Sequence, residues 1–321
     1  MLYAICAIVI GFMVLIWSAD RFIAGAASLA FGWGMSKLLI GLTIVAFGTS
    51  APEILVSLFA ALDGAGGLAI GNALGSNITN VGMVLGFTAL VASIPVARKL
   101  FSAEIPILII VMALSGYILH DATVSLIDSY LLTGALMVFF FFLFMQQKKD
   151  SSHDSLEDEE EIQELTSLKG SAVWLNFIGG LGLLLISAEV LVRSAVFIAT
   201  DMGISDLIIG LTVVAVGTSL PELAASIASA RKGHHEIAFG NIIGSNIFNL
   251  LVVMAVPGFV SGAAIDMAVF SRDYVAMVAI TLLWLLLMAF AIKRKKPFGK
   301  IAGMLLLSSY IAYYVVLYQQ L

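Results

Sequence analysis

The sequence predicts an all-α membrane protein with ten transmembrane helices, arranged as two inverted five-helix repeats. Three observations support this fold class. Of the 321 residues, 61% are hydrophobic and only 12% are charged, and the mean hydropathy is +1.07. Hydrophobic segments of about 20 residues alternate with short polar breaks. The second half of the chain also repeats motifs of the first half at a constant offset of 169 residues.

Ten hydrophobic segments are long enough to cross a bilayer. The first five occupy residues 2–31, 37–62, 68–93, 100–119 and 125–146, and the second five occupy 172–199, 206–230, 237–260, 272–292 and 300–318. We therefore expect a first repeat over 1–146, an acidic linker over 147–171 and a second, inverted repeat over 172–321. The run of acids in the linker is typical of a solvated segment.

Basic residues predict the orientation of these spans. Lysine and arginine cluster in alternate loops, for example at Arg98, Lys148, Arg231 and Lys293, whereas the loops between them contain almost none. Because cytoplasmic loops carry the excess of Lys and Arg, both termini are expected outside and the 147–171 linker in the cytoplasm.

The repeat is clearest in two pairs of motifs. Gly41–Glu53, GLTIVAFGTSAPE, and Gly210–Glu222, GLTVVAVGTSLPE, are identical at ten of thirteen positions. GNALGSNITN at Gly71–Asn80 matches GNIIGSNIFN at Gly240–Asn249. An odd number of spans per repeat turns the second copy upside down, and inverted repeats with interrupted helices and a midplane site are typical of secondary transporters.

The first motif pair predicts a cation site. Glu53 and Glu222 each lie about sixteen residues into a predicted span, near the bilayer centre. Ionisable groups at that depth are usually functional. Pro52 and Pro221 remove a helical hydrogen bond, so carbonyls, the hydroxyls of nearby threonines and a carboxylate form an oxygen set suited to Ca²⁺ or Na⁺. The alternative is a structural kink with a buried, protonated glutamate.

The second motif pair predicts the other wall of that site. Ser76 and Asn80 have i,i+4 spacing, as do Ser245 and Asn249, so each pair shares a helix face. Hydrogen bonding between helices would also explain these polar residues. The glycines of both copies are predicted to allow close helix packing.

The remaining patterns in the sequence do not predict a functional site. Asp20 with Arg21, and Glu189 with Arg193, are predicted as local ion pairs. The four histidines lack metal-ligand spacing, and no Gly-Lys-Ser/Thr phosphate loop occurs. The chain outside the linker does not resemble a nucleic-acid binder. We expect no enzymatic activity, no cofactor and no obligatory protein partner, with membrane lipid as the surrounding medium.

On these motifs the sequence resembles the sodium/calcium exchangers of the cation/calcium exchanger superfamily, and most closely the bacterial inner-membrane members. The resemblance implies that the two glutamates bind Ca²⁺ at the centre of the membrane, that Na⁺ occupies the same and flanking positions, and that the first helix of each half slides. It implies these metal ligands: side chains of Glu53, Glu222, Ser50, Ser219, Ser76, Ser245 and Asn80, and backbone carbonyls of Thr49, Thr218, Ala46 and Ala215. Asn249 stands where some members carry an aspartate on which potassium-dependent relatives rely.

We therefore expect a Na⁺/Ca²⁺ antiporter of the bacterial inner membrane that is electrogenic and K⁺-independent. Two carboxylates neutralise one Ca²⁺, whereas about three Na⁺ would leave the site with one positive charge. A proton-coupled exchanger of Ca²⁺ or other divalent cations could use the same two glutamates. A cation channel could use them as a filter ring.

Overall fold

The computed structural model describes residues 2–33, 35–96, 100, 103–150, 168, 170–203 and 215–319. Nearly all of the described chain is helical. In chain order the helices are α1 Leu2–Gly32, α2 Lys37–Thr49, α3 Ala51–Leu62, α4 Gly66–Val91, α5 Glu104–Leu119, α6 Leu126–Asp150, α7 Ser171–Asp201, α8 Ala215–Thr218, α9 Leu220–Arg231, α10 His235–Val260, α11 Val269–Arg294 and α12 Lys300–Gln319. Two short strands, β1 Thr123–Val124 and β2 Ala263–Ala264, pair antiparallel.

Length and composition make this a helical membrane protein. Within the described residues, seven helices are long and apolar enough to cross a membrane, and the bent pair α2 and α3 makes up to eight. The predicted span 100–119 corresponds to the shorter helix α5, which has 16 residues. The predicted span 206–230 lies partly outside the described residues. Ten inverted spans therefore stay a prediction.

Helix ends differ in places from the predicted spans. Helix α6 continues to Asp150, so the first four residues of the predicted linker 147–171 are helical. Residues 151–167, which hold most of the acids, lie outside the described residues. Helix α10 contains a short 3₁₀ turn at Val253–Ala255, shortly before Pro257, because proline cannot donate the hydrogen bond that a continuous α-helix needs.

The chain forms two compact units, and each unit combines segments of both predicted halves. The first unit consists of Met1–Thr49 and Phe140–Asn241, and the second of Ser50–Phe139 and Ile242–Leu321. The division into repeats over 1–146 and 172–321 describes the sequence pattern and stays a prediction about topology.

In the first unit, α1 packs along α7, which are the first helices of the two predicted halves. A Cβ atom on Gly25 would collide with the backbone of Phe177, and one on Gly180 with the backbone of Phe22. Small residues at such crossings bring two helix backbones close together inside a membrane. Leu15 and Leu184 are among the buried side chains that complete this interface.

In the second unit, α4 is the central helix. It packs against α3, and α12 packs on its C-terminal half. A Cβ atom on Gly303 would lie 2.6 Å from the carbonyl oxygen of Gly86. The paired strands β1 and β2 connect the ends of this unit's helices through the pairs Thr123–Ala264 and Val124–Ala263.

Both copies of the first motif break their helix at the serine. Ser50 has φ −82° and ψ 6°, and Ser219 has φ −89° and ψ 6°. The proline that follows occupies the second residue of the next helix, where a missing N–H group costs no hydrogen bond. The predicted interruption is therefore present at both motifs.

Candidate cation site

The two repeated glutamates lie in the first turn of a new helix. Glu53 is the third residue of α3 and Glu222 the third residue of α9, and both are 0% exposed. The sequence predicts an interruption within each span about sixteen residues from its start, and the break at the serine makes the glutamate the third residue of a new helix. A carboxylate in the first turn faces the positive end of the helix dipole, which stabilises its negative charge.

Asn72 holds the backbone of the first glutamate in the second unit. Its Nδ2 atom donates to the carbonyl oxygen of Glu53 at 3.0 Å and to Oγ of Ser57 at 3.1 Å. One amide group on α4 therefore fixes two successive turns of α3. This sets the position from which the Glu53 side chain projects.

Asn241 makes the equivalent contacts in the first unit. Its Nδ2 atom donates to the carbonyl oxygen of Glu222 at 3.4 Å and to Oγ of Ser226 at 2.9 Å. Its Oδ1 atom also accepts a hydrogen bond from Oγ1 of Thr49 at 3.2 Å. Asn241 therefore joins the helix that carries one glutamate to the threonine of the other motif.

Sequence reasoning missed Asn72 and Asn241. The signal was available, because Asn72 lies four residues before Ser76 and eight before Asn80, so all three share one helix face. The same spacing recurs in the second copy. An asparagine that recurs with the other polar residues of the motif could have been predicted to take part in the same site.

The Thr49 hydroxyl forms hydrogen bonds within the protein. Oγ1 of Thr49 lies 3.1 Å from the carbonyl oxygen of Val45, in addition to its contact with Asn241. The backbone carbonyl of Thr49 is therefore its better candidate ligand atom. Thr218 is also buried, as are Ser50, Ser219 and Ala46. Ala215 lies in α8, and its side chain is outside the described part of the chain.

The predicted second wall lies in the second unit. Ser76, Asn80, Ser245 and Asn249 are all buried, the first two on α4 and the others on α10. Among the described residues, neither amide atom of Asn80 or of Asn249 has a hydrogen-bond partner. A buried polar group left unpaired costs about 1–3 kcal/mol. Coordination of a cation by the amide oxygens would offset that cost.

The helix backbone is irregular at one of these asparagines. Asn80 begins a π-helical stretch, Asn80–Leu85, inside α4. Wider turns of this kind are rare and often occur at functional sites. Similar stretches occur at Gly41–Val45, Leu175–Gly179 and Val269–Tyr274, so the irregularity alone assigns no role to Asn80.

Each unit contains one glutamate and several neutral oxygen groups. The first unit includes the predicted ligands Ala46, Thr49, Ala215, Thr218, Ser219 and Glu222, and the second includes Ser50, Glu53, Ser76, Asn80, Ser245 and Asn249. In the described part of the chain, no three His, Cys, Asp or Glu side chains gather as a metal site would require. A cation site here must therefore be built largely from hydroxyl, amide and carbonyl oxygens, which suits hard cations.

One glycine of the second motif pair makes the predicted close contact. A Cβ atom on Gly240 would lie 2.7 Å from the carbonyl oxygen of Leu38 and 3.0 Å from Cα of Gly41. The backbone at the start of GNIIGSNIFN therefore contacts the backbone at the start of GLTIVAFGTSAPE in the first unit. Gly71 has no described atom within 4 Å of its Cβ position, and Gly210, the repeat equivalent of Gly41, lies outside the described residues.

One of the two predicted ion pairs is confirmed and the other is wrong. Nε of Arg193 lies 2.6 Å from Oε1 of Glu189. Asp20 pairs with Lys232 instead of Arg21, with Nζ 3.3 Å from Oδ1. Arg21 lies over the ring of Trp17 at 5.2 Å. A neighbour in sequence points to a different side of the helix, whereas Lys232 comes from the end of α9.

Known proteins resemble this chain over nearly its whole length. The family described as "Sodium/calcium exchanger protein" matches residues 3–146 and 172–319. CaxA of Alkalimonas amylolytica is 44% identical over 99% of this chain and 99% of its own length. The inner membrane protein YrbG of Escherichia coli (strain K12) is 36% identical over 99% of this chain and 98% of its own. The sodium-calcium exchanger NCX_Mj, in a structure soaked with Na⁺ and Ca²⁺, superposes with a TM-score of 0.80 at 30% identity and 98% coverage of both chains.

Proposed function

Since the chain belongs to the sodium/calcium exchanger protein family, we propose that it exchanges Na⁺ for Ca²⁺ across the membrane by alternating access. The main observation in support is the duplicated arrangement of a buried glutamate in the first turn of an interrupted helix, held by an asparagine. Transport of this kind makes and breaks no covalent bond, so no catalytic residue is needed. Na⁺ and Ca²⁺ are the substrates.

The proposed ligands are the twelve residues that the sequence singled out. Glu53 and Glu222 supply the negative charge that a divalent cation needs. Serine hydroxyls and the amides of Asn80 and Asn249 supply neutral oxygens, and the carbonyls of the residues around the helix breaks complete the shell. Ca²⁺ takes six to eight such oxygens in flexible geometry, so a site built from many short side chains suits it.

The exchange is electrogenic in this proposal. Two carboxylates balance one Ca²⁺, and about three Na⁺ in the same space would carry one excess positive charge through the membrane. The chain is multi-pass, and we place it in the bacterial inner membrane with both termini outside and residues 147–171 in the cytoplasm. The charge asymmetry of the loops supports this orientation.

Flux into proteoliposomes tests the proposal. An outward Na⁺ gradient should drive ⁴⁵Ca²⁺ uptake above the level without a gradient, and an inside-positive potential set with valinomycin and K⁺ should accelerate it. Equal uptake with a proton gradient alone would instead support a proton-coupled exchanger. Ca²⁺ entry without any counter-ion gradient would support a channel.

Because residue 249 is a neutral asparagine, we predict that Na⁺-driven Ca²⁺ uptake does not depend on K⁺. Asn249→Asp would add a carboxylate to the same unit as Glu53, at the position where potassium-dependent relatives use an acid. We expect K⁺ to alter Na⁺-driven Ca²⁺ uptake by this variant, measured against choline at equal ionic strength. The parent protein should respond alike to K⁺ and choline. Identical responses in variant and parent would place Asn249 outside the ion site.

A further inference from the structure

A groove in the first unit lies beside the glutamate helix and outside the proposed cation site. It runs between α1 and α9 and has a volume of about 430 Å³, a size typical of sites for organic ligands. Phe12 and Ile16 form its wall on α1, and Leu223 and Ile227 form its wall on α9. These side chains lie about one helical turn apart on each helix. The groove is therefore a continuous apolar channel that follows both helices.

The groove is accessible from outside the protein. Phe12 is 45% exposed and Ile16 is 56% exposed, although Leu15 between them is buried. In a helix that crosses a membrane, such side chains face lipid chains rather than water. An extended hydrocarbon chain fits a long apolar channel of this kind.

One end of the groove is charged, and the charge is positive. Arg231, Lys232 and Asp20 line this end. Lys232 donates to the carbonyl oxygen of Asp20 at 2.8 Å and lies 3.3 Å from its carboxylate, so these two charges offset each other. Among the residues that the structure describes, Arg231 forms no ion pair. The end of the groove therefore has one uncompensated positive charge.

We propose that this groove binds one anionic phospholipid, with an acyl chain along the apolar walls and the phosphate at Arg231. A guanidinium group binds phosphate oxygens through two parallel hydrogen bonds. A zwitterionic headgroup would bring a second cation beside Lys232, whereas an anionic headgroup complements the net charge of the end. A soluble phosphate would leave the apolar walls uncovered.

A positive charge at the last residue of α9, where Arg231 lies, is not by itself evidence for a lipid site. A cation there is favourable for any helix because of the dipole, and Arg294 occupies the same place at the end of α11. Arg294 lies over the ring of Phe290 at 5.0 Å and does not line the groove. It is therefore a matched control for Arg231.

Such a lipid would connect α1 to the helix that carries Glu222. Glu222 and Ser226 are buried and do not line the groove, while Leu223 and Ile227 line it. The lipid would touch the same helix as the cation without touching the carboxylate. It would thus strengthen the contact between α1 and α9 that the Lys232–Asp20 pair already makes.

Native mass spectrometry of the purified full-length protein tests this site. The probes are phosphatidylglycerol, phosphatidylcholine of the same chain length, and glycerol phosphate. We expect one tightly retained phosphatidylglycerol per chain, a weaker phosphatidylcholine adduct and no glycerol phosphate adduct. Arg231→Gln should reduce the preference for phosphatidylglycerol about fivefold, and Arg294→Gln should leave it unchanged.

A second variant tests the apolar part of the groove. Phe12→Ala removes an exposed ring without opening a core cavity, and it should weaken retention of both lipids. Equal retention of the two lipids by the parent protein, or an unchanged preference in Arg231→Gln, would overturn the proposal. An equal loss in Arg294→Gln would also overturn it, because general surface charge would then explain the binding. A bound protein or a second copy of the chain in place of the lipid adduct would also overturn the proposal, because the groove would then have another occupant.

Discussion

Glu53→Gln and Glu222→Gln are each expected to abolish Na⁺-driven Ca²⁺ uptake. Glutamine keeps the shape of the side chain but removes one negative charge from a fully buried position. A buried cation that loses a partner is destabilised by about 3–5 kcal/mol, which corresponds to a loss of more than about a hundredfold in affinity. Initial rates of ⁴⁵Ca²⁺ uptake in proteoliposomes measure the effect.

The two substitutions should abolish cation binding without unfolding the protein. Without Ca²⁺, each variant should have a melting temperature equal to or above that of the parent, because a buried charge has been removed. Added Ca²⁺ should raise the melting temperature of the parent only, since a ligand stabilises the state that binds it. Unequal effects of the two substitutions would indicate that the repeats contribute unequally.

Glu189→Gln is the matched control. Glu189 also lies on a helix of the first unit, but its side chain is 58% exposed and pairs with Arg193 on the surface. Exposed pairs of this kind contribute little, about 0–1 kcal/mol, so uptake should stay close to that of the parent. Normal uptake by Glu53→Gln or Glu222→Gln would remove that residue from the site.

Asn249→Leu and Asn241→Leu should differ in their effects on stability, although both should lower transport. The amide of Asn249 is buried without a hydrogen-bond partner among the described residues. An apolar side chain of similar size should therefore leave the melting temperature unchanged or raise it. Uptake should nevertheless fall at least about tenfold if that amide oxygen binds the transported ion. Asn80→Leu should behave in the same way.

Asn241→Leu removes three hydrogen bonds at once. It takes one donor from the carbonyl of Glu222 and from the hydroxyl of Ser226, and it takes one of its acceptors from Thr49, which keeps the carbonyl of Val45. Each lost buried hydrogen bond contributes about 0.5–1.5 kcal/mol, so the loss of three should lower the melting temperature. Transport should fall as well, because the backbone of Glu222 is no longer held. A melting temperature that falls equally in Asn249→Leu would contradict a ligand role for Asn249.

The sequence singles out the residues of the candidate site but does not give their geometry. The paired motifs identified both glutamates and the small polar residues around them, since a duplicated acid in an apolar segment has few structural explanations. Their position in the first turn of a new helix was not predicted. The proline indicates that a hydrogen bond is lost, but only the backbone conformation of Ser50 and Ser219 shows where the new helix begins.

Long-range contacts were the part that sequence reasoning missed or misplaced. Asp20 has a basic neighbour in Arg21, yet its partner is Lys232, 212 residues away. Asn241 contacts Thr49 across 192 residues. Helical periodicity predicts which side chains share a face of one helix, but it does not predict which helix packs against that face.

The sequence by itself therefore determined the class of the protein, the repeat, the break at each glutamate and the resemblance to its family. Each follows from a local pattern, either an apolar run, a recurring motif or a proline. Only the tertiary structure decided that each compact unit combines segments from both halves, that Asn72 and Asn241 hold the glutamate helices, and that a groove ends at Arg231. These features depend on how helices distant in sequence pack together, and the chain encodes that packing only through the combined burial of many apolar faces.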